Sequence, residues 1–352
     1  MKILYLYTEV MGYQIPVFRA LAAEYDADVH VFRWTSKNLT PYRPPQLSRI
    51  FYYDRSSFTA FEILKIAKNI QPDLVYVSGW QDRGYLLTAA YFRLMGIPVI
   101  VGFDDQWIGS LRQHFASFLG RLGVFNVLFS HAWVAGAFQT EYAARLGFHK
   151  SKIIFNLLSC DISLFRGRFK KSVLDEKTDG THAFLYVGNF RAVKGTDLLV
   201  EAFKIYRNEF QGKWRLICVG NGPLDYLLKE TDGVFLYPFT DPDQLWHYGA
   251  ISDVFILPSR HDQWGVVLQE FGVLGMPLIA SNTVGSASAF LVHGYNGYSF
   301  TNNSARELAQ LMHKIAVLPH SERRIMGLRS RRLGLKITPE LSAASLVSAL
   351  YR

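Results

Sequence analysis

Short apolar runs alternate with longer amphipathic stretches along most of the chain. In the first half, the runs at 2–7, 28–33, 49–53, 73–77, 97–102, 131–135 and 152–155 read as strands. Between several of them, residues 15–25, 58–69, 83–95, 109–123 and 137–146 carry apolar positions at helical spacing. Strands that alternate with helices argue for a parallel sheet, because successive parallel strands need a long crossover, usually a helix.

The pattern breaks at 163–182, SLFRGRFKKSVLDEKTDGTH, a charged and weakly apolar stretch that reads as a linker. Alternation resumes at Ala183, with strands predicted at 183–188, 214–219, 233–237, 253–257 and 277–280. Helices are predicted at 195–208, 222–230, 241–249, 265–274, 304–317 and 320–335. A last helix near 339–351 follows Thr338-Pro339, an N-cap and first-turn pair. The expected fold class is α/β, with two doubly wound Rossmann-like domains facing across a cleft. The first domain covers 1–165, the linker 166–182 and the second domain 183–337. Ligands are expected at the carboxyl ends of the strands.

Composition narrows the classes. With 352 residues, 49% hydrophobic and 19% charged, the chain is too long for one ordinary core and too apolar to be disordered. Cys160 and Cys218 stand far apart, so neither a disulfide framework nor a cysteine zinc site is expected, which fits a reducing cytoplasm. The opening run MKILYLYTEV is too short for a signal-peptide core. Residues 122–140 lack Lys, Arg, Asp and Glu, but Asn126, Ser130, His131 and two glycines interrupt them. They read as a helix end followed by a buried strand rather than a membrane span. The net charge of +9 is uneven, with 19 Lys and Arg against 12 Asp and Glu in residues 1–170. A basic first half suits an anionic membrane or a phosphorylated substrate. No nucleic-acid module is visible, so nucleic acid is not an expected partner.

Candidate chemistry concentrates in the second half. LPSRHDQWGVVLQE (257–270) puts Asp262 and Glu270 eight positions apart across a loop-to-helix junction behind the apolar run VFIL. A carboxylate accepts two hydroxyl hydrogen bonds and helix-start amides favour an anion, so this geometry suits a polyhydroxylated, phosphorylated ligand. FLYVG (184–188) runs into NFRAVKGTDLLVEAF, where Lys194 precedes a helix start that is a natural diphosphate site. In ICVGNGPLDYL (217–227) the Gly-Asn-Gly-Pro turn reads as architectural. Asp241-Pro242-Asp243 could suggest a metal, but Asp241 reads as an N-cap with Gln244 completing a capping box. His114, His131 and His261 lack partner spacing, and no metal is assigned. In FDDQW (103–107), Asp104 or Asp105 either serves an acceptor hydroxyl or caps helix 109–123. That helix carries Leu111, Phe115, Phe118, Leu119 and Leu122 on one face, with Arg112, His114 and Arg121 elsewhere. It reads as core-facing, with membrane-surface docking as the alternative.

The 257–277 segment closely resembles the signature of retaining GT-B glycosyltransferases of family 4, also known as glycosyl transferases group 1. Their pattern reads P-S-x-x-E-x-F/W-G-x7-A-x-G-x-P, and Pro258, Ser259, Asp262, Trp264, Gly265, Glu270, Gly275 and Pro277 stand in register. Asp262 departs from the usual Glu and Phe271 from the usual Ala. Lys194 matches the G-R-L-x-x-x-K-G element, while Asn189 replaces its Arg and Arg191 stands two residues on. The resemblance implies that Asn189, Arg191 and Lys194 meet a nucleotide diphosphate, and that Pro238 and Phe239 line the base. It gives Glu270 the ribose, and Asp262, or the amides of Gln263, Trp264 and Gly265 with Val266, the donor sugar. Gly12 is placed against the diphosphate and acceptor, and Asp104 where relatives carry a His. Gly285, Gly294, Asn296 and Gly297 match a further element, with 294–297 read as a structural turn.

The implied activity is sugar transfer with retention from a UDP- or GDP-sugar to a saccharide or lipid-linked saccharide, in cell-envelope polysaccharide or lipopolysaccharide synthesis. Neither a metal nor a cofactor is expected. Helix 338–352 is expected to cross back onto the first domain. The implied location is cytoplasmic or peripheral on the inner face of the membrane. The alternatives are a nucleotide-sugar epimerase of the same fold and a non-catalytic nucleotide-sugar-binding subunit.

Overall fold

The computed structural model describes residues 1–35, 43–168 and 181–351, which divide into two compact units. Residues 1–161 and 337–352 form one unit and residues 162–336 the other. In the first unit, strands β1 (Lys2–Leu6), β2 (Asp28–Arg33), β3 (Ile50–Asp54), β4 (Leu74–Ser78), β5 (Val99–Phe103), β6 (His131–Val134) and β7 (Ile153–Ile154) pair in parallel. Their order is β3-β2-β1-β4-β5-β6-β7 among the described residues. Helices α1 (Ile15–Tyr25), α2 (Ala60–Ile70), α3 (Arg83–Leu94), α4 (Leu111–Arg121), α5 (Val124–Leu128) and α6 (Ala137–Arg145) make the crossovers. Central strands covered on both faces cannot alternate with polar residues. Accordingly Ile3, Leu4, Tyr5 and Leu6 of β1 are all buried.

The second unit starts with α7 (Ile162–Arg166), followed by β8 (Ala183–Val187), α8 (Thr196–Asn208), β9 (Arg215–Val219), α9 (Asp225–Lys229) and β10 (Val234–Tyr237). Next come α10 (Trp246–Ile251), β11 (Val254–Leu257), α11 (Val266–Val273), β12 (Leu278–Ser281), α12 (Ala287–Phe290), β13 (Gly297–Phe300), α13 (Ala305–Ala316) and α14 (His320–Gly334). Its parallel strands run β10-β9-β8-β11-β12-β13. Finally α15 (Pro339–Val347) packs against α1 within the first unit. The Thr338 hydroxyl caps it by accepting the Leu341 N–H at 3.1 Å, and Pro339 holds its first position.

Several expectations are corrected. The unit boundary falls at 161/162 rather than 165, because α7 packs on α11. Of the expected linker 166–182, residues 169–180 lie outside the described residues, and Arg166 ends α7. Asp241 makes no side-chain cap: Pro242–Gln244 form a 3-10 turn whose Gln244 amide bonds the Asp241 carbonyl at 2.9 Å, and the helix begins only at Trp246. The turn at 294–297 leads straight into β13, unforeseen because it is short and opens on a glycine. A Cβ on Gly297 would sit 1.8 Å from the Leu278 carbonyl oxygen, so only glycine lets the two strands meet there.

Helix α4 is the largest departure. Its core side is Gln113, Ala116, Ser117 and Gly120, and of its apolar stripe Leu119 packs on the core while Leu111, Phe115, Phe118 and Leu122 face outward. A Cβ on Gly120 would lie 2.6 Å from the Leu146 backbone. The close approach to the end of α6 therefore selects small residues inward and leaves most of the bulky ones outside.

Candidate active site

The order of the second sheet reverses between β8 and β11: chain succession runs from β8 to β9 on one side, and β11 pairs on the other. Loops leaving two such strands part in opposite directions and open a crevice. Lys194 and Asp262 meet there. The Lys194 Nζ donates to Asp262 Oδ2 at 2.8 Å, and the Ser259 hydroxyl donates to the same oxygen at 3.1 Å. Asp262 is 8% exposed, whereas the Lys194 side chain keeps about a third of its surface open. An ammonium has three N–H donors, so pairing with Asp262 leaves two for oxygens of a ligand.

Backbone packing fixes the two loops against each other. After β8 the chain makes a 3-10 turn at Ala192–Lys194, and Gly195 at φ +71° opens α8. The N–H groups of Arg260 and His261 both reach the Val193 carbonyl, at 2.9 and 3.3 Å. From below, the buried Tyr186 hydroxyl donates to the Asn189 carbonyl at 3.2 Å. On the far side, Gly220 and Gly222 let the next turn lie on the Gly188–Phe190 backbone, since a Cβ on Gly220 would meet the Gly188 oxygen at 1.9 Å. The Phe190 N–H bonds the Asn221 carbonyl there at 2.8 Å, so the Gly-Asn-Gly turn supports the Lys194 loop.

Arg260 is the strut that sequence reasoning missed. Its guanidinium takes Asp197 at 2.6 and 3.0 Å and the Ala192 carbonyl at 2.6 Å. Burial pushes the Asp197 carboxyl up, but hydrogen bonding to Arg260 and its charge outweigh this and hold it below the usual carboxylate range. A depressed pKa contributes stability above the unfolded-state value, lost as pH falls through the folded one. With Asp197 partly exposed, Arg260→Ala is expected to cost about 1 kcal/mol at neutral pH. The gap to the parent chain should narrow below about pH 4. Urea unfolding at neutral and acid pH measures both, and a pH-independent gap would remove the ion pair from the account.

The remaining acid-loop residues follow β11. Gly265 precedes α11 with φ +82°, Gln263 and Val266 are half-buried beside it, and Glu270 is half-buried one turn into the helix. The Trp264 side chain is 1% exposed and packs edge-on against Phe290, so only its backbone is available to a ligand. Loop 281–286 clamps this segment: the Gly285 N–H bonds the Asp262 carbonyl at 3.1 Å, and the Ser286 hydroxyl donates to the Gly265 carbonyl at 2.9 Å. Pro238 and Phe239 are exposed after β10. They share the carboxyl edge of the sheet, two strands or about 10 Å from β8. Asn189 and Arg191 lie in the Lys194 loop, Arg191 exposed. Among the described residues no group of His, Cys, Asp and Glu could hold a metal ion.

The first unit has its own reversal, between β1 and β4, where the Thr8 N–H bonds the Ser78 hydroxyl at 3.2 Å. Gly12 opens a 3-10 turn, Gly12–Gln14, but its φ is not positive, so the backbone does not demand glycine there. Asp104, after β5, is half-buried within electrostatic reach of Tyr13, Tyr7 and Tyr76. Burial, then the Asp104 charge, pushes the Tyr13 phenol up to about 12, which keeps it a neutral donor. Ser110 caps α4, and Gln113 completes a capping box. Neither Asp104 nor Asp105 is that cap.

Residues 169–332 match the sequence model of the family Glycosyl transferases group 1. The second unit is a group 1 glycosyltransferase domain. An uncharacterised 41.2 kDa protein from a cps region of Klebsiella pneumoniae is 28% identical over 165 residues, 47% of this chain and 45% of that one. The chain spans about half the length of the curated relatives it matches. Two solved structures superpose over nearly all of both chains. A glycosyltransferase from Rickettsia africae has a TM-score of 0.75 at 13% identity, covering 99% of this chain and 97% of that one. Anabaena Alr3699/HepE in complex with UDP-glucose has 0.71 at 17% identity, covering 100% and 99%. These likenesses establish the GT-B fold.

Within the group 1 domain, the structure brings Lys194, Asp262, Gln263, Gly265 and Glu270 to one end of the sheet. It keeps Asp104 and Gly12 in the other unit. Tyr186, Arg260, Thr283 and Ser286, which hold the loops, went unforeseen. Arg260 sits at an unspecified position of the signature, and hydroxyl residues that bond backbone carbonyls leave no periodic trace.

Proposed function

We propose that the protein transfers a sugar from a nucleotide-sugar donor to a saccharide or lipid-linked saccharide, with retention and without a metal, in cell-envelope polysaccharide synthesis. The Lys194–Asp262 pair at the strand-order reversal of the group 1 domain carries this reading. The diphosphate would lie along the Asn189–Gly195 loop and the start of α8, with the spare Lys194 protons on its oxygens. Glu270 would take the ribose hydroxyls and Pro238 and Phe239 the base, while Asp262 and the amides that open α11 would face the sugar. Asp104 of the first unit is the proposed partner of the acceptor hydroxyl.

In this route the bond from the anomeric carbon to the diphosphate oxygen breaks as the acceptor oxygen bonds on the same face. The acceptor proton passes to the departing phosphate oxygen. Lys194 then stabilises charge that grows as the bond breaks, which lowers a barrier rather than merely tightening binding.

The test is thermal stabilisation by UDP, GDP, ADP and dTDP and by their sugar conjugates, without metal. UDP leads because the similar Anabaena structure holds UDP-glucose. A ligand at 100 times its dissociation constant adds about 2.7 kcal/mol to stability. One nucleotide is expected to raise Tm, and Glu270→Ala to abolish that rise. No rise with any nucleotide would overturn the donor site.

A further inference from the structure

The first unit also has a concave site at the amino ends of its strands, on the opposite edge of the sheet from Gly12 and Asp104. A cavity of about 740 Å³ opens there. It lies between the end of α3, the starts of β5 and β6, the 3-10 turn Lys150–Lys152 and the C-terminal turn Ser348–Leu350. Small-molecule sites have volumes of this order. From Val99 to Phe103, β5 makes four residue steps, so about 13 Å of sheet separates the cavity from the Asp104 loop.

The charged groups that line it are cations. Arg93 and Lys152 face the cavity, and no Asp or Glu does among the described residues. Neither side chain makes an ion pair or hydrogen bond with the described residues, and the Arg93 Nε is buried without an acceptor. A buried donor left unpaired costs stability, and two cations on one cavity repel each other. Within the chain nothing offsets either cost, whereas an anion in the cavity offsets both.

The neighbouring hydroxyls are already engaged. Ser130 gives its one proton to the Val99 carbonyl and accepts the Val99 N–H, both at 3.0 Å. Its oxygen therefore accepts from His131 Nδ1, 3.1 Å away, which fixes a proton on that nitrogen. The Ser151 hydroxyl lies 2.9 Å from His149 Nδ1. Arg93 and Lys152 are left for a ligand.

We propose that this cavity binds the phosphate of a small soluble molecule of sugar-phosphate size. The planar guanidinium of Arg93 fits two phosphate oxygens, and the Lys152 ammonium adds a point charge. Two cations favour a phosphate ester, with nearly two negative charges at neutral pH, over a singly charged carboxylate. Pro98 and Ala349 line other parts of the cavity and offer apolar contact to the rest of the molecule. No donor-site residue takes part, so the site stands independently of the transfer reading.

The test is titration calorimetry of the full chain with inorganic phosphate and with glucose 6-phosphate. Chloride at about 150 mM screens nonspecific attraction to the basic surface. Both ligands are expected to bind, the ester more tightly. Arg93→Met combined with Lys152→Met should weaken both at least tenfold, and Lys152→Met alone should weaken both by a smaller factor. Met keeps the aliphatic stem and neither charged head has a partner, so the Tm without ligand should hold in both variants. Lys194→Ala should leave this binding unchanged, which separates the cavity from the donor site. Equal binding by the parent chain and the double variant would overturn the proposal, as would no binding by the parent. So would loss of binding in Lys194→Ala alone, or binding of inorganic phosphate with exclusion of the ester.

Discussion

Lys194→Ala is expected to lower the rate of sugar transfer by about two to three orders of magnitude, the usual loss when one donor to a developing oxyanion is removed. The loss should fall on kcat more than on KM, because the ammonium is needed most as the diphosphate departs. The variant also takes the Lys194 ammonium away from the buried Asp262, so stability should fall by about 1 to 3 kcal/mol.

These two losses can be separated. Lys194→Ala combined with Asp262→Asn removes the buried charge that Lys194 had faced, so the double variant should regain stability without regaining activity. Steady-state kinetics and urea unfolding on the single and double variants decide the matter. If the double variant recovers both, Lys194 holds the loop and does not act on the diphosphate. If the single variant turns over normally, the donor site is misassigned.

The architecture was largely legible because buried parallel strands leave an unambiguous trace. VFIL at 254–257 has no polar residue, and all four side chains are buried in β11. Lys194 and Asp262 were each legible through the family resemblance but not as a pair, since 68 positions separate them and no local pattern says that they touch. What failed had a common cause. Periodicity shows that α4 has an apolar stripe, but not on which side its neighbours lie. The deciding signal was the opposite face, where Ala116, Ser117 and Gly120 are small enough for a backbone to approach. Likewise Asp241-Pro242 is a sound helix-start signal, yet the Asp241 carbonyl, not its side chain, meets the first free amide. Arg260 was invisible for a different reason: its partners Asp197 and Ala192 come together only when both loops are folded.

Gly195→Ala is the other change with a large expected effect, since two costs fall on one atom. Gly195 has φ +71°, where a side chain costs about 1 to 2 kcal/mol. A Cβ there would also stand 2.0 Å from the Pro258 carbonyl oxygen and 2.8 Å from its carbon. Both atoms are backbone and cannot rotate away, so the two loops must part. Separation of the Gly195 and Pro258 segments moves Lys194 from Asp262, and activity should fall with stability. Gly294→Ala isolates the first cost, because Gly294 has φ +76° and no atom within 4 Å of its would-be Cβ. We expect Gly294→Ala to lose about 1 kcal/mol with near-normal turnover. Gly195→Ala should lose about 3 kcal/mol or more and at least tenfold in kcat, since a misplacement near 1 Å at a reacting site can cost a hundredfold. If the two variants match in both stability and rate, close contact of the loops is not what holds Lys194 in place. The pairing at 2.8 Å would then be maintained by its own charge alone.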